Sequence, residues 1–110
     1  MKKTQDMKAR VHSRLPYEAE VEVALNGDET QVAHIYNIST GGAYITTTPQ
    51  PPFGSRMTIL IDLPGIVNQC EIVCIVRWTK GKTGVGIQFD RLRPIEVWGL
   101  SKLIKSLAKE

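Results

Sequence analysis

The feature that most constrains the fold is a succession of short strand-like runs with no helical segment between them. In the first run, from Tyr17 to Leu25, every second residue is apolar and glutamates occupy most positions between, which is typical of a strand with one buried face. The runs predicted as strands are Tyr17–Leu25, Thr30–Ile38, Ala43–Thr47, Arg56–Leu63, Val67–Thr79 and Val85–Phe89. Short strands in series, joined by turns, predict an antiparallel barrel or sandwich.

Turn residues separate these runs. Asn26-Gly27 is a strong hairpin signal, so the second strand should return antiparallel to the first. Prolines end the third strand because proline has no N–H to donate to a sheet, and Pro64-Gly65 ends the fourth. The long run from Val67 to Thr79 is apolar on most of both faces, which favours a central strand. One of its faces is predicted to carry Cys70, Ile72, Cys74, Val76 and Trp78.

The hydrophobic period becomes helical at the C-terminal end. Pro94 suits a first helical position, and lysines lie towards the favourable C-terminal end. The apolar residues at helical spacing are Val97, Leu100, Leu103, Ile104 and Leu107. We therefore predict an amphipathic helix over about residues 94–109 that covers an open end or face of the barrel, with Trp98 in that packing. A membrane-surface or dimerisation role is the alternative.

A chain of 110 residues fits a single domain. No apolar run approaches the roughly 18 residues that cross a bilayer, and no apolar signal segment follows the lysine-rich start, so we expect a cytoplasmic protein without a membrane partner. Cys70 and Cys74 would lie about 13 Å apart on one strand face, beyond disulfide reach. With only two histidines besides, we expect no metal or cofactor and interpret both thiols as small core residues.

The positive charge is concentrated at the N terminus. The formal net charge is +3, and residues 1–14 alone contribute +4. These residues contain few apolar side chains and show no clear period, so we expect a flexible basic arm over residues 1–14 and a folded domain over residues 15–110. Such an arm indicates an anionic partner, which leaves nucleic acid, a nucleotide and anionic lipid open, unless the arm only aids solubility.

A polar corner joins the second and third predicted strands. Its adjacent glycines, Gly41 and Gly42, allow positive φ and leave no Cβ in the way of a ligand. The Asn37 amide, the Ser39 hydroxyl and free backbone N–H groups at such a corner can hold an oxyanion or a base edge. The alternative is a structural connection in which Asn37 and Ser39 bond only their own backbone.

Residues suited to catalysis are scarce in the sequence. His12 and His34 are far apart with no obvious nucleophile beside them, and no closely spaced pair of carboxylates stands out in a polar corner. The sequence also contains no phosphate-binding loop motif and no metal-ligand cluster. We therefore expect a binding module rather than an enzyme.

Several motifs together resemble the PilZ domain family. They are Arg10-x-x-x-Arg14 in the arm, Asn37-x-Ser39-x-x-Gly42 at the corner, a closing strand Gly84–Phe89, and the terminal helix. The resemblance covers nearly the whole chain, although Asn37 stands where aspartate is frequent. It implies a six-stranded antiparallel β-barrel with a C-terminal α-helix that binds the bacterial second messenger cyclic di-GMP and has no catalytic activity.

The chemistry of the arm and corner suits that ligand, which carries two phosphates and two guanines. The guanidinium fork of arginine reads the O6 and N7 edge of guanine, so Arg10 and Arg14 are expected to contact guanine and phosphate. The resemblance implies that Asn37 hydrogen-bonds a guanine edge and that Ser39 and the adjacent backbone approach the ligand. Trp78 either stacks on guanine or belongs to the core. The predicted ligand-binding residues are Arg10, Arg14, Asn37, Ser39, Gly41, Gly42 and Trp78.

The expected mechanism is an order–disorder switch. We expect the arm to be loose without ligand and to fold over the barrel when its arginines engage cyclic di-GMP, which changes the surface shown to an unidentified protein partner. One alternative is a basic-armed β-barrel that binds single-stranded nucleic acid, although aromatic residues are few and glutamates crowd the first strand. Another is a PilZ-like interaction module without a ligand.

Overall fold

The computed structural model describes residues 14–25 and 29–108, and six strands and one helix lie within these ranges. The strands are β1 (Leu15–Leu25), β2 (Thr30–Ile38), β3 (Gly42–Thr47), β4 (Arg56–Ile61), β5 (Cys70–Lys80) and β6 (Gly84–Phe89), followed by helix α1 (Pro94–Ala108). Every predicted strand is present, and β2 has the predicted bounds. The strands β4 and β5 are shorter than predicted, because the loop around the Pro64-Gly65 turn takes residues 62–69 out of the sheet.

The six strands form one closed antiparallel barrel. Their order around the barrel is β1-β2-β3-β6-β5-β4, and pairing of β4 with β1 closes it, with Val23 opposite Ile59. This closure decides between the barrel and the sandwich, and it confirms a six-stranded antiparallel barrel with a C-terminal helix. The antiparallel pairing of β1 with β2 is also as predicted, while the Asn26-Gly27 turn itself lies outside the described residues.

The core consists of the inward-facing residues of all six strands. Its fully buried side chains include Val23, Ile35, Ile45, Ile59, Ile72 and Ile87. Cys70 and Cys74 are buried in the same core as free thiols, which confirms their interpretation as small core residues. Burial raises the pKa of Cys74 to about 12, so its thiol is protonated and unreactive at neutral pH.

Helix α1 covers one side of the barrel. Leu100 and Leu103 join the core, and Gly99 lies directly against Leu63 and Ile66 of the β4–β5 loop.

The prediction for Val97 was wrong, because this side chain is 46% exposed. Trp98 is only half-buried and lies over Gly65. The neighbouring residue Glu96 is the one that faces inward, and it is only 2% exposed. Among the described residues, no helix has the length and apolar character needed to span a bilayer.

Glu96 is buried because it closes the N-terminal turn of α1. Its Oε1 accepts a hydrogen bond from the backbone N–H of Arg93 at 2.8 Å, and its Oε2 accepts one from Arg93 Nη2 at 2.7 Å. A glutamate at the third helical position that reaches back to the residue before the helix forms half of a capping box. The bonds to Glu96 also raise the pKa of Arg93 above its usual value.

Removal of this cap should weaken the attachment of α1. We expect Glu96→Ala to lower the free energy of unfolding by about 1–2 kcal/mol, because the Arg93 N–H loses its acceptor. Urea unfolding followed by circular dichroism measures the change. The matched control is Glu29→Ala, an exposed glutamate before β2, which should change stability by less than about 0.5 kcal/mol. Equal stability of the two variants would contradict the capping role.

Candidate functional site

Ser39 builds the corner between β2 and β3. Its hydroxyl accepts hydrogen bonds from the backbone N–H groups of Gly41 at 3.0 Å and Gly42 at 3.1 Å, and its own N–H donates to the Gly42 carbonyl at 2.8 Å. The Ser39 residue is only 2% exposed. The expectation of free backbone N–H groups at this corner does not hold for Gly41 and Gly42, because both already donate to the serine hydroxyl. The structure instead agrees with the alternative for Ser39, in which its side chain bonds the backbone of its own turn.

Gly42 is required for a steric reason rather than for its backbone angles. The described glycines with positive φ are Gly54, Gly65 and Gly81, so the corner does not use the positive φ that its glycines allow. A Cβ at Gly42 would instead collide with the carbonyl oxygen of Ile87 in β6. The absence of a side chain lets the start of β3 lie directly against β6, and it leaves the corner open beside the Gln88 side chain, opposite Gly42 in the ladder.

Asn37 presents an unsatisfied acceptor beside this corner. It lies in β2 at a register shift between Ile35 and Asn37. Its Oδ1 is buried and has no hydrogen-bond partner among the described residues. An unpaired buried acceptor costs about 1–3 kcal/mol, so native proteins retain one mainly where a partner can arrive.

A pocket of about 260 Å³ opens at the corner. Its lining residues are Arg14, Ser39, Gly41, Gly42, Arg77, Ile87 and Gln88. Four predicted site residues are thus together, while Asn37 and Trp78 are not in the lining and Arg10 lies outside the described residues. We call this the arginine pocket. Among the described residues its lining contains two arginines and no carboxylate, so it suits an anion.

Arg14 links the arginine pocket to Trp78. Its Cζ lies 5.7 Å from the centre of the Trp78 ring, within cation–π range. Partial burial lowers the pKa of Arg14 from its usual value, although a guanidinium stays protonated at neutral pH. A register shift between Val76 and Trp78 breaks the alternation of β5, and Trp78 is 39% exposed. The prediction that Trp78 shares the core face with Val76 was therefore wrong.

Trp78 begins a row of aromatic rings that the sequence analysis missed. The aromatic row runs Trp78, Tyr44, Tyr36 and His34, with successive ring centroids 5.4, 5.9 and 4.5 Å apart. The Trp78 and Tyr44 rings are nearly parallel, with an interplanar angle of 10°. Side chains at Gly86 and Gly84 would collide with these two rings, so the glycines of β6 make room for them. The signal in the sequence was the aromatic spacing in β2 and β3.

A second depression on the described surface has a different character. It has a volume of about 380 Å³ and is lined by Val32, Ala33, His34 and four threonines. It contains no arginine, lysine or carboxylate, so it offers less to a charged ligand than the arginine pocket does. Among the described residues, no group of three histidine, cysteine, aspartate or glutamate side chains is placed to hold a metal ion.

The family model for the PilZ domain matches residues 8–108. The chain belongs to the PilZ domain family. The matched range includes both sequence motifs, the whole barrel and α1. The family suggested by the sequence motifs is therefore confirmed.

Three solved structures share the fold of this PilZ domain. PlzA of Borreliella burgdorferi, in complex with c-di-GMP, has a TM-score of 0.66 at 16% identity over 90% of this chain and 44% of its own. The PilZ domain of CeSA from a cellulose-synthesizing bacterium has a TM-score of 0.65 at 17% identity over 86% and 97%. The Bacillus subtilis inhibitor of motility, MotI/DgrA, has a TM-score of 0.62 at 18% identity over 89% and 52%.

This PilZ domain therefore spans less than half of the PlzA chain and about half of the MotI chain. At identities of 16–18%, these TM-scores show a shared fold alone. The comparison with curated proteins found no match.

The geometry of the corner predicts a stability role for Ser39. Ser39→Ala leaves the N–H groups of Gly41 and Gly42 without an acceptor, so we expect the free energy of unfolding to fall by about 1–3 kcal/mol in urea titrations. The control is Ser55→Ala. The Ser55 hydroxyl donates to the Pro52 carbonyl, which also accepts the Ser55 N–H, so this variant should lose less than about 0.5 kcal/mol. Equal effects would show that the corner does not depend on the Ser39 hydroxyl.

Proposed function

We propose that this PilZ domain is a non-catalytic receptor for cyclic di-GMP, which binds in the arginine pocket. The observation that carries the proposal is the meeting of Arg14 with the Ser39–Gly42 corner in one pocket, whose described lining residues include no carboxylate. A ligand with two phosphates and two guanines matches the positive charge of the pocket and the N–H donors of its arginines. Family membership and the c-di-GMP complex of PlzA support the same ligand.

Each residue of the site has a proposed role in that complex. Arg14, together with Arg10 of the arm, binds phosphate oxygens or the O6 and N7 edge of guanine. Asn37 Oδ1 accepts a hydrogen bond from the exocyclic amino group of guanine, which provides the partner that this buried oxygen lacks. Ser39 acts indirectly, because its hydroxyl holds the corner in the shape against which the ligand packs.

Trp78 supplies a stacking surface at the edge of the pocket. In the structure Arg14 lies over its ring, so a guanine base either stacks on the Arg14 guanidinium plane or takes its place. Both arrangements keep Arg14 at the ligand. The neighbouring Tyr44 ring, parallel to that of Trp78, holds the indole in its outward orientation.

The signal is proposed to pass through the arm formed by residues 1–14. Arg10 and Arg14 belong to the same segment, so a ligand that binds both ties the segment to the barrel. The surface presented to a protein partner then differs between the free and bound states. The proposed setting is the cytoplasm.

Loss of either arginine should weaken binding. We expect Arg10→Ala and Arg14→Ala each to raise the Kd for cyclic di-GMP at least tenfold in calorimetry, because a lost charge-assisted bidentate contact costs on the order of 1–3 kcal/mol. Lys105→Ala removes the same charge from the exposed face of α1 and should bind normally. Arg14→Lys should restore only part of the affinity, since an ammonium is not a planar fork.

Two results would refute the assignment. One is unchanged affinity in both arginine variants. The other is displacement of cyclic di-GMP by single-stranded RNA at lower concentration than unlabelled ligand, which would favour the nucleic-acid alternative. The aromatic row makes that competitor a stringent one, because rings in series are what single-stranded nucleic acids stack on.

The arm mechanism is tested by hydrogen exchange. Amides around Arg10–Arg14 should exchange with little protection in the free protein and become protected when cyclic di-GMP binds. The amides of β4 serve as an internal reference, because β4 is paired with β1 and β5 and its residues lie outside the pocket lining. An arm already protected without ligand would overturn the mechanism, and recognition by a partner would then rest on the exposed surface of the ligand itself.

A further inference from the structure

Arg77 is a second arginine of the pocket, and it belongs to neither sequence motif. Its Nε donates a hydrogen bond to Gln88 Oε1 at 2.6 Å. Among the described residues, no partner is found for its two terminal Nη groups, and no carboxylate forms an ion pair with it. A guanidinium with one edge fixed and its end free is prepared to bind an anion.

The backbone explains why Arg77 faces this pocket. The register shift between Val76 and Trp78 places Arg77 and Trp78 both at the exposed surface of the barrel. Gln88 lies in β6 directly opposite Gly42 in the β3–β6 ladder. The hydrogen bond to Gln88 therefore ties the Arg77 side chain to the strand that forms one wall of the corner.

We propose that Arg77 binds a phosphate of the cyclic dinucleotide and that Gln88 is the positioning residue that aims it. This inference rests on the proposed function. Arg14 and Arg77 give the pocket two positive charges, no carboxylate is found among its described lining residues, and the ligand carries two phosphates. The charges of site and ligand are thus complementary.

Phosphate suits Arg77 better than a guanine edge does. Its Nε–H is already engaged by Gln88, so the side edge that pairs Nε with Nη is closed to the ligand. The free Nη end can meet phosphate oxygens in several orientations, whereas a base edge requires one planar alignment. Ionic contact also predicts a specific dependence on salt, because dissolved ions screen the attraction between Arg77 and a phosphate.

The test is a calorimetric titration of cyclic di-GMP at a series of sodium chloride concentrations. We expect Arg77→Ala to raise the Kd about tenfold at low salt and to reduce the dependence of log Kd on log salt. Arg77→Lys should stay within about threefold of the parent, because lysine keeps the positive charge and can bind phosphate as a point charge. The matched control is Lys80→Ala, which removes an exposed charge from the same strand and should bind normally. Unfolding curves for every variant verify the fold.

Gln88→Ala separates positioning from charge. The variant should raise the Kd about threefold and leave the salt dependence unchanged, since the charge of Arg77 remains. In the double variant with Arg77→Ala, the Gln88 change should have no further effect, because it acts only through Arg77. An additional loss in the double variant would show that Gln88 contacts the ligand itself and would overturn its positioning role.

The outcomes keep the two proposals apart. Failure of the parent protein to bind cyclic di-GMP refutes the proposed function. Normal binding by the parent and equally tight, equally salt-dependent binding by Arg77→Ala refutes only the role of Arg77. If Arg77→Lys is as weak as Arg77→Ala, the contact depends on the planar fork rather than on the charge, and the proposed charge contact with phosphate is overturned.

Discussion

The close approach of the Gly42 backbone to the Ile87 carbonyl is the contact on which the candidate site depends. A residue with a side chain at position 42 would hold β3 away from β6. The Ser39 turn would then lose its attachment to β6, which includes a hydrogen bond from the Phe89 N–H to the Gly41 carbonyl at 2.8 Å. Gln88, and through it Arg77, takes its place relative to the corner from the same pairing. One steric requirement thus organises the backbone and the charges of the pocket together.

The fold was accessible from the sequence because its determinants are local. Short apolar runs, with clear period-two alternation in β1, predicted every strand, and prolines marked the ends of the third and fourth. Closure of the barrel was not accessible from those patterns, since barrels and sandwiches share the same alternation along each strand. The motif that contains Asn37 and Ser39 favoured the barrel over the sandwich, because it resembles the PilZ domain family and that resemblance implies a barrel. Pairing of β4 with β1 then confirmed the barrel.

The site was only partly predictable, because its chemistry depends on departures from regular structure. The register shift in β5 turns Trp78 outward, and no residue type in that strand predicts such a shift. The engagement of the Ser39 hydroxyl by its own turn depends on backbone geometry rather than on residue type. The same limit applies at α1, where helical spacing selected Val97 and the capping geometry buried Glu96 instead.

Closure of the barrel also limits how a protein partner can be recognised. A sheet with a free edge can accept an extended peptide as an additional strand, and main-chain hydrogen bonds then supply affinity with little regard to sequence. In this ring of six strands every strand has a paired neighbour on both sides, although β4 pairs with β1 only over residues 22–25. A partner that binds the paired part of the barrel must therefore recognise side-chain shape and charge, so its specificity can evolve residue by residue without disturbing the sheet.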